Sequence, residues 1–336
     1  MNKLVSTCLL IFCFVFVKAQ DVHYSLYELA PVQMNAAQAG QFDGEYRISS
    51  NYRSQWFDVP VAYRTFSVAF DMQLLPYKLD KDRWGASALF LYDQAGDGQL
   101  SNLNIQLSTS YAKHIFENVY VGAGFQLGYG YRRFKLDQFT FNDQFNGDVF
   151  DPSIQSYDQI KLAGNNTLHY LDISTGLLIE YRKNEQQRAR ITAGLHHLNR
   201  PNQSFLGDDI PQFMRFSLLA DGSIPVSQKM DVLPVFWMQW QGPHREYVFG
   251  GGARYHISQE LGKEMSIQTS ALYRFNDAVI WRMAFQYNQF TVGLSYDINI
   301  SGFVPATRYN GGYELSLMYI WAKVPRLPLT KNCPVF

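Results

Sequence analysis

This 336-residue chain has no apolar run long enough for a membrane-spanning helix. Its one strongly apolar stretch, residues 4–17, is fourteen residues long, whereas a helix that crosses a bilayer needs about 20. Cysteine is almost missing. Of the 3 present, Cys8 and Cys13 lie in the first 19 residues, so the rest of the chain holds only Cys333 and no internal disulfide can form. No surplus of charge of either sign exists, with 29 Lys and Arg against 29 Asp and Glu, and without a basic surplus nothing points to nucleic acid.

Catalytic signatures are missing too. There is neither an H-E-x-x-H sequence nor a P-loop, and Gly85-Ala86-Ser87-Ala88-Leu89 lacks the last glycine of a nucleophile elbow. Gly250-Gly251-Gly252 falls inside a strand pattern rather than before a helix, which suits lumen packing or sheet curvature better than a phosphate cradle. Asp93 to Gly98 resembles the start of a calcium loop but has no distal glutamate at the required spacing, so a hairpin loop is expected. His196 and His197 are adjacent, and a strand would send them to opposite faces, away from a shared metal. A hydrolase would need a nucleophile, a base and an orienting group at one rim, and no such set is found. No cofactor is implied.

What the chain does have is aromatic residues, 16% of the total, in a sequence of mean hydropathy −0.20. Low hydropathy with many aromatics suits a barrel whose strands show one face to lipid and the other to a polar lumen. The clearest strand runs from Asn118 to Arg133. Val119, Val121, Ala123, Phe125, Leu127, Tyr129 and Tyr131 alternate with small or polar residues, Gly122, Gly124, Gln126, Gly128 and Gly130 among them. Successive side chains of a strand point to opposite faces, so this is one strand longer than the usual five or six residues. The same alternation recurs over 103–111, 171–181, 265–274, 290–299 and 312–321. Weaker candidates lie near 45–54, 63–71, 84–92, 188–199, 212–222, 232–241, 245–255 and 279–287. Leu178, Leu272, Met318 and Ile320 break the pattern by placing apolar groups on the polar side. Many strands end in Tyr or Trp, such as Tyr131, Tyr181, Tyr273 and Trp321, as interfacial girdles require.

The reading is an all-β protein, a transmembrane antiparallel β-barrel of the outer membrane with about fourteen strands, an even number as such barrels use. Residues 1–19 read as a signal peptide, with Lys3 before the apolar run and Val17-Lys18-Ala19 before the cleavage point. Its removal takes two of the 29 basic residues, Lys3 and Lys18, and no acidic one, leaving 27 against 29 and a net of −2. Residues 20–44 carry no strand pattern and are expected to form a periplasmic N-terminal segment. Residues 45–323 form the barrel, and 324–336, with Pro325, Pro328 and Pro334, a periplasmic tail. Alternating the strands from a periplasmic start puts the connections near 55–62, 93–102, 135–165, 200–211 and 299–310 outside the cell. Those near 112–118, 182–187 and 288–289 fall inside, as does a longer one at 72–83.

Two segments carry a family resemblance. One holds Asn35-Ala36-Ala37-Gln38-Ala39-Gly40, Tyr46-Arg47 and Asn51-Tyr52-Arg53-Ser54-Gln55-Trp56. The other holds Val292-Gly293-Leu294-Ser295-Tyr296-Asp297-Ile298-Asn299 and Gly311-Gly312-Tyr313-Glu314-Leu315-Ser316-Leu317, before the closing Cys333-Pro334-Val335-Phe336. In order and spacing these resemble the PorP/SprF family of type IX secretion system membrane proteins over essentially the whole mature chain. One departure is Ala36, where the family commonly has proline. The resemblance implies a non-enzymatic outer-membrane component of the secretion and gliding machinery. Its partners would be type IX secretion components or a large secreted adhesin-like cargo protein, apart from outer-membrane lipid.

Candidate partner-binding or family-hallmark residues follow. Asn51, Arg53, Gln55, Trp56, Asp297 and Asn299 carry the resemblance and sit on polar faces or strand ends, where strand registration and lumen hydrogen bonds are the plainer role. Phe139, Phe141 and Phe145 lie in the longest outer loop, either as a docking surface or packed on one another to close the mouth. Charged residues of the strand segments, Glu45, Arg47, Arg64, Asp71, Asp172, Glu180, Arg274 and Glu314 among them, would pair in the lumen or form a selecting ring. The alternative function is a general or substrate-specific porin.

Overall fold

The structure is a computed structural model, and it describes residues 21–321 apart from 58, 60–62, 77, 97, 185 and 261. The expected signal peptide and the proline-rich tail lie outside the described residues. The strands are β1 (Tyr46–Gln55), β2 (Tyr63–Leu74), β3 (Arg83–Ala95), β4 (Leu100–Phe116), β5 (Val119–Arg133), β6 (Thr167–Arg182) and β7 (Arg188–His196). The second half has β8 (Arg215–Ser227), β9 (Met230–Gln241), β10 (His244–Ser258), β11 (Met265–Arg274), β12 (Ala278–Tyr287), β13 (Phe290–Asn299) and β14 (Asn310–Trp321).

Each strand pairs antiparallel with its sequence neighbours, and β14 returns to β1 to close the barrel. The seam runs from Tyr46 opposite Trp321 to Gln55 opposite Gly312. Closure gives each strand a neighbour on both sides, as a sheet that spans lipid requires. No helix among the described residues is long and apolar enough to cross a membrane.

Period-2 alternation decides which face sees what. Ile48, Phe66, Phe70, Leu107, Phe125, Leu177 and Ile179 point outward and are exposed, while Ser49, Asn51, Ser67, Asp71, Ser108, Gln126 and Glu180 point inward and are buried. The outward aromatics form two bands. Tyr63, Tyr92, Tyr129, Trp240 and Tyr313 lie towards one end, and Tyr46, Trp84, Tyr181, Tyr255, Tyr287 and Trp321 towards the other, the girdle arrangement of barrels that sit in a bilayer.

The connections are unequal at the two ends. Residues 134–166, 197–214 and 300–309 link strands at the end opposite the start of β1, here the loop end. At the other end, where β1 starts and β14 stops, β4–β5, β8–β9 and β12–β13 turn over in two residues each. The connection 75–82 is longer than those turns, as the sequence suggests. The glycine run in β10 serves curvature: a Cβ on Gly250 or Gly252 would meet backbone oxygens of β11.

The segment expected outside the barrel is inside it. Residues 24–27, 29–32 and 34–42 are buried, although they contribute no strand. They run as short helical turns, Tyr27–Leu29, Pro31–Met34 and Ala36–Gln38, through the lumen. The physical reason lies on the inner wall. Leu219, Val235, Trp237, Val248, Leu272 and Ile280 face inward with no lipid to meet, and Tyr27 and Met34 of the plug bury against them. Ala37 does the same against Ala112 and Leu178. Burial of such a side chain is worth about 1.5–3 kcal/mol, which a segment left in water would forgo.

Candidate functional site

The plug and the inner wall fit through shape and charge together. Gly85 has no side chain because the carbonyl of Ala39 occupies the space, and a Cβ at Gly124 would collide with the backbone of Ala36 and Ala37. Small residues on the polar face are therefore the imprint of a chain lying against it.

Polar complementarity centres on Ser25. Its amide and that of Leu26 donate to the Glu314 carboxylate at 2.7 and 2.9 Å. Its hydroxyl donates to Asp297 at 2.9 Å and accepts from Arg53 and Arg274, both at 3.1 Å. Arg53 pairs with Glu314, directly opposite it on β14, and with Asp297 at 3.1 Å. Arg274 reaches Asp297 at the same distance. Four charges from β1, β11, β13 and β14 thus meet one serine of the plug, and all four are nearly inaccessible. Beside them Arg282 donates to Glu28 at 3.0 Å and to the Ser25 carbonyl at 3.3 Å. Breaking a buried pair by removing one partner costs about 3–5 kcal/mol because the other charge is stranded.

The sequence-selected residues divide into two places. Arg53 and Asp297 belong to this cluster. Asn51 sits one turn of the plug further on, donating to the Leu29 carbonyl at 3.3 Å and accepting from Ser316 at 2.7 Å. Asn299 stays off the plug: it donates to Thr307 at 2.8 Å and accepts from Ser301, holding the turn between β13 and β14. Gln55 ends β1, opposite Tyr63 and Gly312. Trp56 follows with φ 54°, and its ring meets Tyr63 at 5.0 Å and Phe303 at 5.2 Å, edge on.

Phe139, Phe141 and Phe145 lie in the loop 134–166 at the loop end. Phe139 contacts Phe134 at 5.9 Å and Phe141 at 6.4 Å, and the buried Phe134 contacts Phe205 of the loop 197–214 at 4.8 Å. These rings thus link the loop 134–166 to the loop 197–214. Phe145 forms a backbone bridge to Phe150 and is 55% exposed. Val149, Phe150, Tyr157 and Ile160 are exposed around it. The loop is ordered by its own polar contacts. Gln144 is buried and donates to the Ile154 carbonyl at 3.0 Å. Asp143 accepts from Ser156 and the Tyr157 amide, which hold its carboxyl below the ordinary value.

Sequence reasoning missed Ser25, Glu28 and Asp21 as partners of the barrel wall, together with the role of the paired histidines. His197 leaves β7 with φ 58° and turns inward, so both histidines are buried on the inner side rather than on opposite faces. His196 contacts Ser217 at 3.3 Å, and His197 lies 2.9 Å from Asp172 and 2.6 Å from Asp21. Burial disfavours the charged His197 ring, but Asp21 and Asp172 outweigh it and lift the pKa to about 9. Among the described residues no group of His, Cys, Asp or Glu could hold a metal ion. Two spaces border the plug: a water-sized cavity of about 10 Å³ beside His23, Arg215 and Glu246, and a polar cleft of about 370 Å³ at the β1 end beside Asp43, Asp80 and Arg83.

A closed fourteen-strand barrel with girdles and a lipid-facing apolar belt is a multi-pass outer-membrane protein. A family model described as type IX secretion system membrane protein PorP/SprF matches residues 16–319, and the chain belongs to that family. No curated protein matches it significantly. Among solved structures, the toluene transporter TodX from Pseudomonas putida is similar at 8% identity and TM-score 0.48, covering 89% of this chain and 93% of that one. The CymD monoaromatic hydrocarbon channel is similar at 11% identity and TM-score 0.45, covering 91% and 95%. The translocator domain of the autotransporter NalP from Neisseria meningitidis is similar at 9% identity and TM-score 0.42, covering 88% and 95%.

Proposed function

We propose that this barrel works without catalysis, as a protein-binding component of type IX secretion, and that its loop end is the working face on the cell surface. One observation carries this reading: the lumen is filled by the chain's own residues 24–42. A filled lumen leaves the two ends as places for work. At the loop end the exposed Phe145, Phe150, Tyr157 and Ile160 stand on a loop ordered by buried polar contacts. Apolar side chains held in water on a fixed support suit a protein partner. Family membership supports a type IX secretion component as the partner, and in this reading an exported surface protein would suit the same face.

The test removes residues 140–160 and joins the ends with a short Gly-Ser linker, leaving β5 and β6 whole. The expected result is a barrel that still assembles, seen as a heat-modifiable band on a gel, with loss of surface display of the type IX cargo. Unchanged display would overturn the docking reading. Purified wild-type protein in planar bilayers is expected to be electrically silent, and steady conductance would move the function to a porin.

A further inference from the structure

The plug has a direction. Asp21 donates its amide to Gln241, the last residue of β9, at 3.1 Å. Its carboxylate accepts from Gln212 at 3.2 Å, lies 2.6 Å from His197, and is 3.6 Å from Arg215, the first residue of β8. All four partners belong to the loop end. His23 then meets Glu246 near the start of β10 at 3.4 Å. Ser25 and Glu28 meet Glu314 and Arg282, and Leu29 meets Asn51 in mid-barrel. Further along, the Ala39 carbonyl accepts from Ser110 at 2.6 Å, and Asp43 pairs with Arg83 and Arg182 at 2.9 and 3.1 Å, at the opposite end. The Glu45 amide then donates to the Trp321 carbonyl, and β1 begins. The path doubles back once, where Gln33 donates to the Val22 carbonyl at 3.3 Å, but the two ends of the segment, Asp21 and Glu45, lie at opposite ends of the lumen.

From this we infer that the chain is threaded through its own barrel, so that whatever precedes Asp21 emerges among the long loops, across the membrane from the start of β1 and the end of β14. Asp21 is a latch: four side chains fix its amide and carboxylate at the mouth and prevent the leading end from folding back into the lumen. Threading has a consequence for assembly. A barrel whose strand ends β1 and β14 face the compartment of synthesis can seat this plug only with a free leading end. That end either passes through the lumen or is wrapped as β14 closes on β1. A leader still tethered on the β1 side would hold Asp21 at the wrong end, so leader removal precedes plug seating.

The experiment compares three single cysteines in a Cys333→Ser background, in the full-length protein in whole cells. One lies in a short Gly-Ser insertion directly before Asp21. Asp148→Cys reports the loop end, and Gln289→Cys, in the two-residue turn between β12 and β13, reports the opposite end. A membrane-impermeant maleimide is added before or after lysis. The inserted cysteine is expected to label on intact cells as fully as Asp148→Cys, while Gln289→Cys labels only after lysis. Labelling of the inserted cysteine that follows Gln289→Cys would overturn the inference, whichever side of the membrane that proves to be. Because an insertion could itself unseat the plug, the pair D21C/Q241C provides an independent reading. With a short bismaleimide it is expected to crosslink, seen as a mobility shift on a denaturing gel. Its absence, under conditions where both cysteines label in the denatured protein, would equally overturn the threading.

Discussion

The lumen and the mouth of this barrel solve opposite problems. In the lumen, charge is abundant and nearly every carboxylate has a guanidinium beside it: Arg47 with Asp71, Arg53 with Glu314, Arg190 with Asp221, Arg282 with Glu28. At the mouth the surplus is apolar: Phe145 and Phe150 stand half-exposed, with Ile160 of the same loop 52% exposed. The family-resembling residues concentrate in the first region, and the aromatic candidates in the second. The difference teaches that residue patterns which mark the fold need not mark the working surface. Buried pairs around Ser25 are complementary to the chain's own plug, whereas the mouth retains surface that the fold itself does not consume.

The comparison breaks most readily in the lumen. Arg53→Ala strands Glu314 and Asp297 and unbalances the seat of Ser25, so a loss of about 3–5 kcal/mol is expected, measured as a lower midpoint of heat-modified mobility on gels. Arg53→Lys should recover part of it, since one ammonium cannot span both carboxylates as a guanidinium does. A midpoint within error of wild type would show that the cluster is not what holds β1, β14 and plug together. Next in size is Gly124→Leu. Its side chain would occupy the place of Ala36 and Ala37, and overpacking of this kind costs about 1–3 kcal/mol. The barrel should still form but leak, reading out as new conductance in planar bilayers. A silent Gly124→Leu barrel would mean that the plug yields without leaving.

Much of this arrangement was legible in the residues. Alternation located the strands because lipid on one side and a polar lumen on the other impose a period of 2, and Asn118–Arg133 differs from β5 by a single residue. Chain parity also grouped the long connections at one end. The plug is not legible as such, because a segment with no period of its own has no local signature, and lack of pattern by itself suggests a place outside the barrel. Yet its imprint was in view. Leu178 and Leu272, apparent errors in the alternation, are buried against Ala37 and with Tyr27 and Met34. Gly85 and Gly124 on the inner wall mark where a backbone passes. Inward apolar groups in a barrel call for a partner, and residues 20–44, free of any strand pattern and next to β1, were there to supply one. Arg53 and Asp297 were visible as inward charges, but their convergence on Ser25 depends on three-dimensional closure that no spacing in the sequence encodes.

A subtler probe acts on the latch between the two regions. The folded His197 pKa of about 9 lies above the ordinary 6.5. The stabilisation from charged His197 between Asp21 and Asp172 is therefore complete below about pH 6.5 and is lost as pH rises through about 9. Arg215 also faces Asp21 at 3.6 Å and Gln241 and Gln212 still bond to it, so the latch loosens without opening fully. Hydrogen exchange at the amides of residues 21–24 should accelerate between pH 8 and about pH 10 beyond the intrinsic base-catalysed rise, and His197→Gln should remove that excess. An excess that survives in His197→Gln would assign the transition to another group.

The smallest expected effect on the molecule itself is the one that most sharpens the contrast. Phe145→Ser changes an exposed ring on the loop 134–166 whose order comes from Gln144, Asp143 and Ser156 rather than from Phe145. Stability should shift by no more than about 0.5 kcal/mol, as for exposed positions away from special contacts. A docking aromatic, by contrast, commonly loses more than about 1 kcal/mol of binding when truncated, so surface display of the type IX cargo should fall several-fold at unchanged barrel abundance. Phe139→Ser is the internal control, because Phe139 packs on Phe134 and Phe141 and should disturb the mouth before it disturbs a partner. If Phe145→Ser lowers barrel abundance as much as display, the ring is part of the fold, and mouth and lumen are alike in kind. If display falls alone, the molecule divides as its chemistry suggests, with an interior committed to its own chain and an exterior rim committed to another.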